Sequence, residues 1–157
     1  MENKPIKRSK YIIKLSRDHN ASLLFCWKIR QGKKLGVDGE RIKPYVAYFA
    51  KDHMAPHFEE EETILFSSVS EDELVKQAVS EHQLIYKLVD QVRSAEGAEL
   101  DESLLKLADT VDGHVRFEER TLFPHLEKLI PEPQLKQISE KLDHEPEKDT
   151  FGDEFWK

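Results

Sequence analysis

Four stretches of the chain carry apolar residues at helical spacing, and a histidine falls at the middle of each apolar stripe. Successive residues of a helix are about 100° apart around its axis. On that wheel Val46, Ala50, Glu61 and Ile64 lie within about 40° of His57, and Phe49, Met54 and Glu60 within about 80°. Glu59 and Glu62 then face water, Glu61 faces inward, and Glu60 lies at the edge. Around His114 fall Leu107, Val111, Phe117, Glu118, Thr121 and Leu122. His82 is centred among Val75, Ala78, Val79, Ile85, Tyr86 and Val89, and His19 shares a face with Leu15, Leu23 and Cys26. "HFEEE" at 57–61 and "HVRFE" at 114–118 repeat one device, His-x-x-x-Glu, whose two side chains share a face with about 6 Å of rise between them.

Strand signals are few. Ser16 is the expected N-cap of a first helix running to about Gly32, and "GKKLGVDG" is a loop. A second helix covers roughly 40–64. "SEDE" at 70–73 reads as a capping box, with Ser70 as cap and Glu73 answering it, before a third helix to about Ala95. Asp101 is the expected cap of a fourth helix that ends before Pro131. "PEPQLKQISEKL" predicts a short fifth helix with Pro133 in its first turn. The predicted fold is all-α: an up-down-up-down four-helix bundle, a short extra C-terminal helix and a tail. With 157 residues, 38% of them apolar, one domain is expected at 1–144, its core at about 12–130. Residues 145–157 form the tail, whose Phe151, Phe155 and Trp156 either dock or stay mobile.

A net charge of −7 argues against nucleic acid as the main partner, and the basic cluster Lys4, Lys7, Arg8 and Lys10 reads as a solvated end. No run reaches the ~18–20 apolar residues needed to cross a bilayer, and none resembles the apolar region of a signal peptide. Cys26 is the single cysteine, which excludes an intrachain disulfide or a thiolate zinc cluster and points to a reducing, cytoplasmic setting.

Burying four imidazoles and two carboxylates costs several kcal/mol unless each finds a partner. No inward Arg or Lys is placed to pair with them, Arg30 and Arg93 at the helix ends apart. Metal ions would supply the missing charge. Six inward groups exceed what one tetrahedral zinc uses, and two ions about 3.5–4 Å apart use them well. Each ion would take two imidazoles, Glu61 and Glu118 would span the pair, and an oxo or hydroxo bridge would complete it. Mixed nitrogen and oxygen donors with open positions suit iron; manganese and zinc are alternatives.

The ordered set of a histidine in helix 1, His-x-x-x-Glu in helix 2, a histidine in helix 3 and His-x-x-x-Glu in helix 4 resembles the hemerythrin-like, or HHE cation-binding, domains. "HVRFEERTLFPHLE" looks like the family's fourth-helix signature, and the resemblance covers roughly residues 12–130. It implies a four-helix bundle with a non-haem di-iron site for oxygen or related small molecules such as NO or peroxide. It also implies His19, His57, Glu61, His82, His114 and Glu118 as ligands. The oxygen carriers have a fifth histidine, in a His-x-x-x-His on the third helix, and end with His-x-x-x-x-Asp. Here Ala78 and Tyr86 flank His82 at that spacing, and helix 4 has His114-x-x-x-Glu118. The pattern is closer to members with four histidines and two glutamates, some of which sense iron or oxygen. The ferritin plan needs Glu-x-x-His on two helices, and no histidine here has an acid three residues before it. HExxH is absent too, which argues against a zinc protease.

The expected function is therefore a binding or sensing module for O2 or NO, passing any signal to a separate, unidentified protein partner. A di-iron peroxidase or oxidase and an iron-handling protein are the alternatives. His53, one turn before His57, competes as a ligand, and Glu60 would replace Glu61 if Pro56 shifted the helix phase. Tyr86 either packs or donates to a bound ligand, with packing favoured. His125 reads as a core or cap histidine, His144 as solvated, and Cys26 as a buried apolar residue.

Overall fold

The computed structural model describes residues 10–142 and 148–157; Lys4, Lys7, Arg8 and His144 lie outside the described residues. It is all-helical, an up-down-up-down bundle with an added C-terminal helix. α1 is Ile13–Lys34. α2 is one rod over residues 39–65, with α-helical turns at Gly39–Phe49 and Ala55–Glu60 and wide π turns at Ala50–Met54 and Glu61–Leu65. After a 3-10 turn at Ser67–Val69, α3 spans Glu73–Ser94. α4 covers residues 97–129: Gly97–Phe117, a π turn at Glu118–Leu122, then Phe123–Leu129. α5 is Glu132–Lys141, with Pro133 in its first turn. No described helix is long and apolar enough to cross a membrane.

The caps differ from those the sequence suggests. Ser16 lies inside α1, where its hydroxyl donates to Glu119 (2.8 Å). Asp72 rather than Ser70 caps α3, accepting the Leu74 and Val75 amides at 2.9 and 3.2 Å. An ionised carboxylate at the first free amides satisfies them and meets the positive helix end, which outcompetes a hydroxyl two residues earlier. Asp101 sits within α4, which begins four residues before it, and pairs with Lys33 at 2.6 Å. α1 stops in a Schellman turn: Gly36 takes φ +78°, the Val37 amide donates to the Gly32 carbonyl and the Gly36 amide to that of Lys33.

The π turns change which residues face the core. An even 100° wheel centres Ile64 and Thr121 on the inner face. In the structure Ile64 is only half-buried and Thr121 is exposed, while Leu65 and Leu122 are fully buried. Two of the three described π turns begin at a glutamate, Glu61 or Glu118, and close through an i to i+5 bond: Phe66 N–H to the Glu61 carbonyl, Phe123 N–H to that of Glu118. The added residue slips the phase by one position in both rods.

Two apolar clusters result. One holds Phe25, Phe49, Met54, Phe58, Ile85, Val111 and Val115 with residues towards the α1–α2 loop; the other joins Leu15, Leu65, Ala78, Leu122 and Phe123 to α5. The tail docks on the first. Phe155 is buried against Tyr45 and Gly32, where an added Cβ would stand 2.8 Å from its ring. Arg41 grips Asp153 with two nitrogens, Lys28 pairs with Asp149 at 3.0 Å and lies 4.0 Å from the Trp156 ring, and the Thr150 amide donates to Tyr48 Oη. Phe155→Ala removes the anchor of this dock. It should cost about 3–5 kcal/mol in chemical denaturation, and a loss below about 1 kcal/mol would show that the tail contributes no core packing.

Candidate metal centre

Between the two apolar clusters lies a layer of six polar side chains from all four long helices. His19 (α1), His57 and Glu61 (α2), His82 (α3), His114 and Glu118 (α4) are each 0–5% exposed. Helical spacing places His57 above Glu61 and His114 above Glu118, with Nε2 to Oε1 distances of 3.3 and 3.4 Å. Across the bundle, His19 Nε2 lies 2.8 Å from Glu118 Oε1, and His82 Nε2 lies 3.1 Å from Glu61 Oε1 and 3.8 Å from Glu118 Oε2.

Potential donor atoms gather into two groups, His19–His57–Glu61–Glu118 and Glu61–His82–His114–Glu118; within each, all atoms lie within 4.8 Å of one another. Both groups contain both glutamates. The histidines pair accordingly, His19 with His57 and His82 with His114, at ring centroid distances of 5.0 and 4.8 Å. Phe58 stacks on His82 at 3.8 Å and Phe123 on His19 at 5.3 Å, which closes the layer with apolar surface.

The donor set fits a bound cation. Nε2 of His57, His82 and His114, both oxygens of Glu61 and Oε2 of Glu118 are buried without a hydrogen-bond partner. Each such atom costs about 1–3 kcal/mol, and imidazole nitrogens with carboxylate oxygens are the ligands divalent metals accept. Cation binding among these donors would offset that cost.

The cage also polarises its own acids and bases. Burial, together with the charge of Glu118, pushes Glu61 well above the ordinary carboxyl range. Burial works against ionisation of Glu118 as well, but His114, His19 and His82 outweigh it and hold Glu118 well below that range. Burial disfavours charge on His19, yet Glu118 and Glu119 raise it to about 9. His114 is likewise raised to about 9 by Glu118 and Glu81 against its burial. His57 is lowered by burial, which Asp18 only partly opposes.

The remaining sequence candidates lie elsewhere. His53 stacks on Phe49 and bonds Tyr48 Oη at 3.1 Å, and Glu60 accepts from Lys14 at 2.8 Å. His125 bonds Asp72, the α3 cap, at 2.7 Å. Tyr86 meets the edge of Phe58, and Cys26 is buried with its thiol pushed up to about 12 by that burial. Four acids that touch the outer sides of the histidines escape the wheel: Asp18, Glu62, Glu81 and Glu119. Glu62, expected in water, is partly buried and reaches His82. The available signal was adjacency, since each of the four is next in sequence to a cage residue.

A helical bundle with a buried histidine and glutamate cage is a metal-binding module. A family model for the hemerythrin HHE cation binding domain matches residues 14–126, which include all six cage residues, and the chain belongs to that family. Comparisons with curated proteins and with solved structures return no match.

Raised histidines give the cage a pH signature. His19 and His114 have folded values of about 9 against 6.5 for a free imidazole. Their contribution to stability is complete below the free value and is lost as pH climbs through the raised one. The melting temperature of chelator-treated protein should therefore fall between pH 6.5 and about 9. Metal-loaded protein should show a weaker fall, because the cation rather than a proton occupies the nitrogens. Equal slopes for both forms would contradict the assignment of these protons.

Proposed function

We propose that the chain is a non-haem di-iron protein that binds O2 or a related small molecule such as NO, as a binding or sensing module. The sharing of Glu61 and Glu118 by both donor groups carries this reading. It suits two ions side by side, one held by His19 and His57, the other by His82 and His114, with the two carboxylates common to both. Six donors for two ions leave coordination positions open. Ligand type does not select the metal by affinity, since copper and zinc outbind iron at such donors; a mixed donor set with open positions suits iron, with manganese and zinc as alternatives. When bound, the iron pair supplies the open positions and the electrons with which a diatomic ligand is held.

The protein's own part is to orient and to exclude. Phe58, Phe123, Leu65 and Leu122 keep bulk water from the layer. A partly open pocket lined by Lys14, Asp18, Ala21, Phe49 and Glu60 among others reaches the outer side of His57, where Asp18 holds its Nδ1.

Metal analysis tests the ligand assignment. His57→Ala and Glu61→Ala should each lose at least one ion per chain, while Glu59→Ala on the exposed face should lose none; equal metal content in all three variants would sink it. Iron-loaded protein, mixed anaerobically with O2 or NO, should give a stable new optical spectrum. No spectral change with either ligand, or rapid turnover with a reductant, would replace the binding reading.

A further inference from the structure

Each cage histidine presents one ring nitrogen inward and turns the other outward, and all four outward nitrogens are Nδ1. His57 Nδ1 lies 3.0 Å from Asp18 Oδ2, His82 Nδ1 2.7 Å from Glu62 Oε2, and His114 Nδ1 2.7 Å from Glu81 Oε1. His19 Nδ1 lies 3.4 Å from Glu119 Oε2. In helices, α1 reaches to α2, α2 to α3, α3 to α4, and α4 back to α1. The acids are also the sequence neighbours of cage residues: Asp18 of His19, Glu62 of Glu61, Glu81 of His82, Glu119 of Glu118.

We propose that Asp18, Glu62 and Glu81 are positioning carboxylates, each holding the metal-binding histidine of the next helix, and that Glu119 completes the ring through a longer, charge-only approach to His19. The proposal rests on the metal-site reading above. An ionised carboxylate can only accept, so at His57, His82 and His114 the shared hydrogen sits on Nδ1 and is donated outward, whereas His19 Nδ1 approaches Glu119 without a hydrogen bond. That fixes the tautomer with the lone pair of Nε2 pointing into the cage, and it locks the ring plane about its last torsion. Backbone geometry makes the arrangement economical: a residue adjacent to an inward one points about 100° away, which on a four-helix ring is towards the neighbouring helix. A single helical dipeptide thus supplies a donor to its own cage and a brace to the next.

The four links are unequal. The Glu62 and Glu81 links are the shortest. Asp18 Oδ2 also accepts from Lys14 Nζ at 2.9 Å, and Glu119 Oε2 accepts from Ser16 Oγ at 2.8 Å, so these two braces are shared with α1 residues. The ring predicts a matching gradient, with His82 and His114 held more firmly than His19.

The test uses the full chain and iron(II) under anaerobic conditions, with affinity measured by competition with a chromophoric chelator. Glu62→Ala and Glu81→Ala should each weaken binding about 10–100-fold, and Glu119→Ala by less. The melt of chelator-treated Glu62→Ala should match wild type, which separates positioning from a purely structural brace; Glu81 also supports the raised His114 and is read by affinity alone. Glu81→Gln, which keeps an acceptor oxygen, should recover most of the loss. Wild-type affinity in Glu81→Ala, no recovery in Glu81→Gln, or a chelator-treated Glu62→Ala melt that drops in step with the loaded one would each overturn the ring. If wild type itself takes up no iron, the metal-site reading fails first and the ring with it.

Discussion

A layer of ionisable groups sealed between two apolar clusters is the constraint to which the other features of this bundle answer. His19, His57, Glu61, His82, His114 and Glu118 are removed from water, and several of their atoms have no hydrogen-bond partner. A hydrophobic core of the same volume would be easier to build. The layer makes sense where a cation completes it, so folding and cation binding draw on the same contacts. Membership of the hemerythrin HHE cation-binding family accords with that physics.

The layer also dictates helix order. No single helix carries more than one histidine and one glutamate of the cage, so either donor group forms only when several rods are aligned in register. The apolar clusters on either side set that register: Phe58 and Val111 above, Leu65, Ala78 and Leu122 below. Packing thus positions the donors without any loop taking part, and rigid elements hold a site more accurately than loops do.

Much of this was legible in the sequence because helical periodicity is a local property. The number of long helices, the inward faces and the convergence of the six side chains all follow from spacing. What the wheel could not give depends on contacts between distant residues. A fixed 100° step centres Thr121 and Ile64 on the core face, because nothing in the local pattern announces an i to i+5 turn. Acids such as Glu62 and Glu81 look solvated until the neighbouring helix supplies an imidazole. The dock of Phe155 against Gly32 and Tyr45 has no periodicity to reveal it. The caps misread for a different reason: Ser70 and Asp72 are both good cap residues, and only the three-dimensional start of α3 chooses between them.

The wide turns that begin at Glu61 and Glu118 each set the helix after them one residue out of phase with the helix before. Upstream, the phase is dictated by the donors; downstream, by whichever apolar residues must meet α5 and the lower cluster. One extra residue works as a clutch between them. Substitutions that repack the floor of the bundle can accumulate on the far side of that clutch while the angle at which His57 and His114 face the cage stays unchanged.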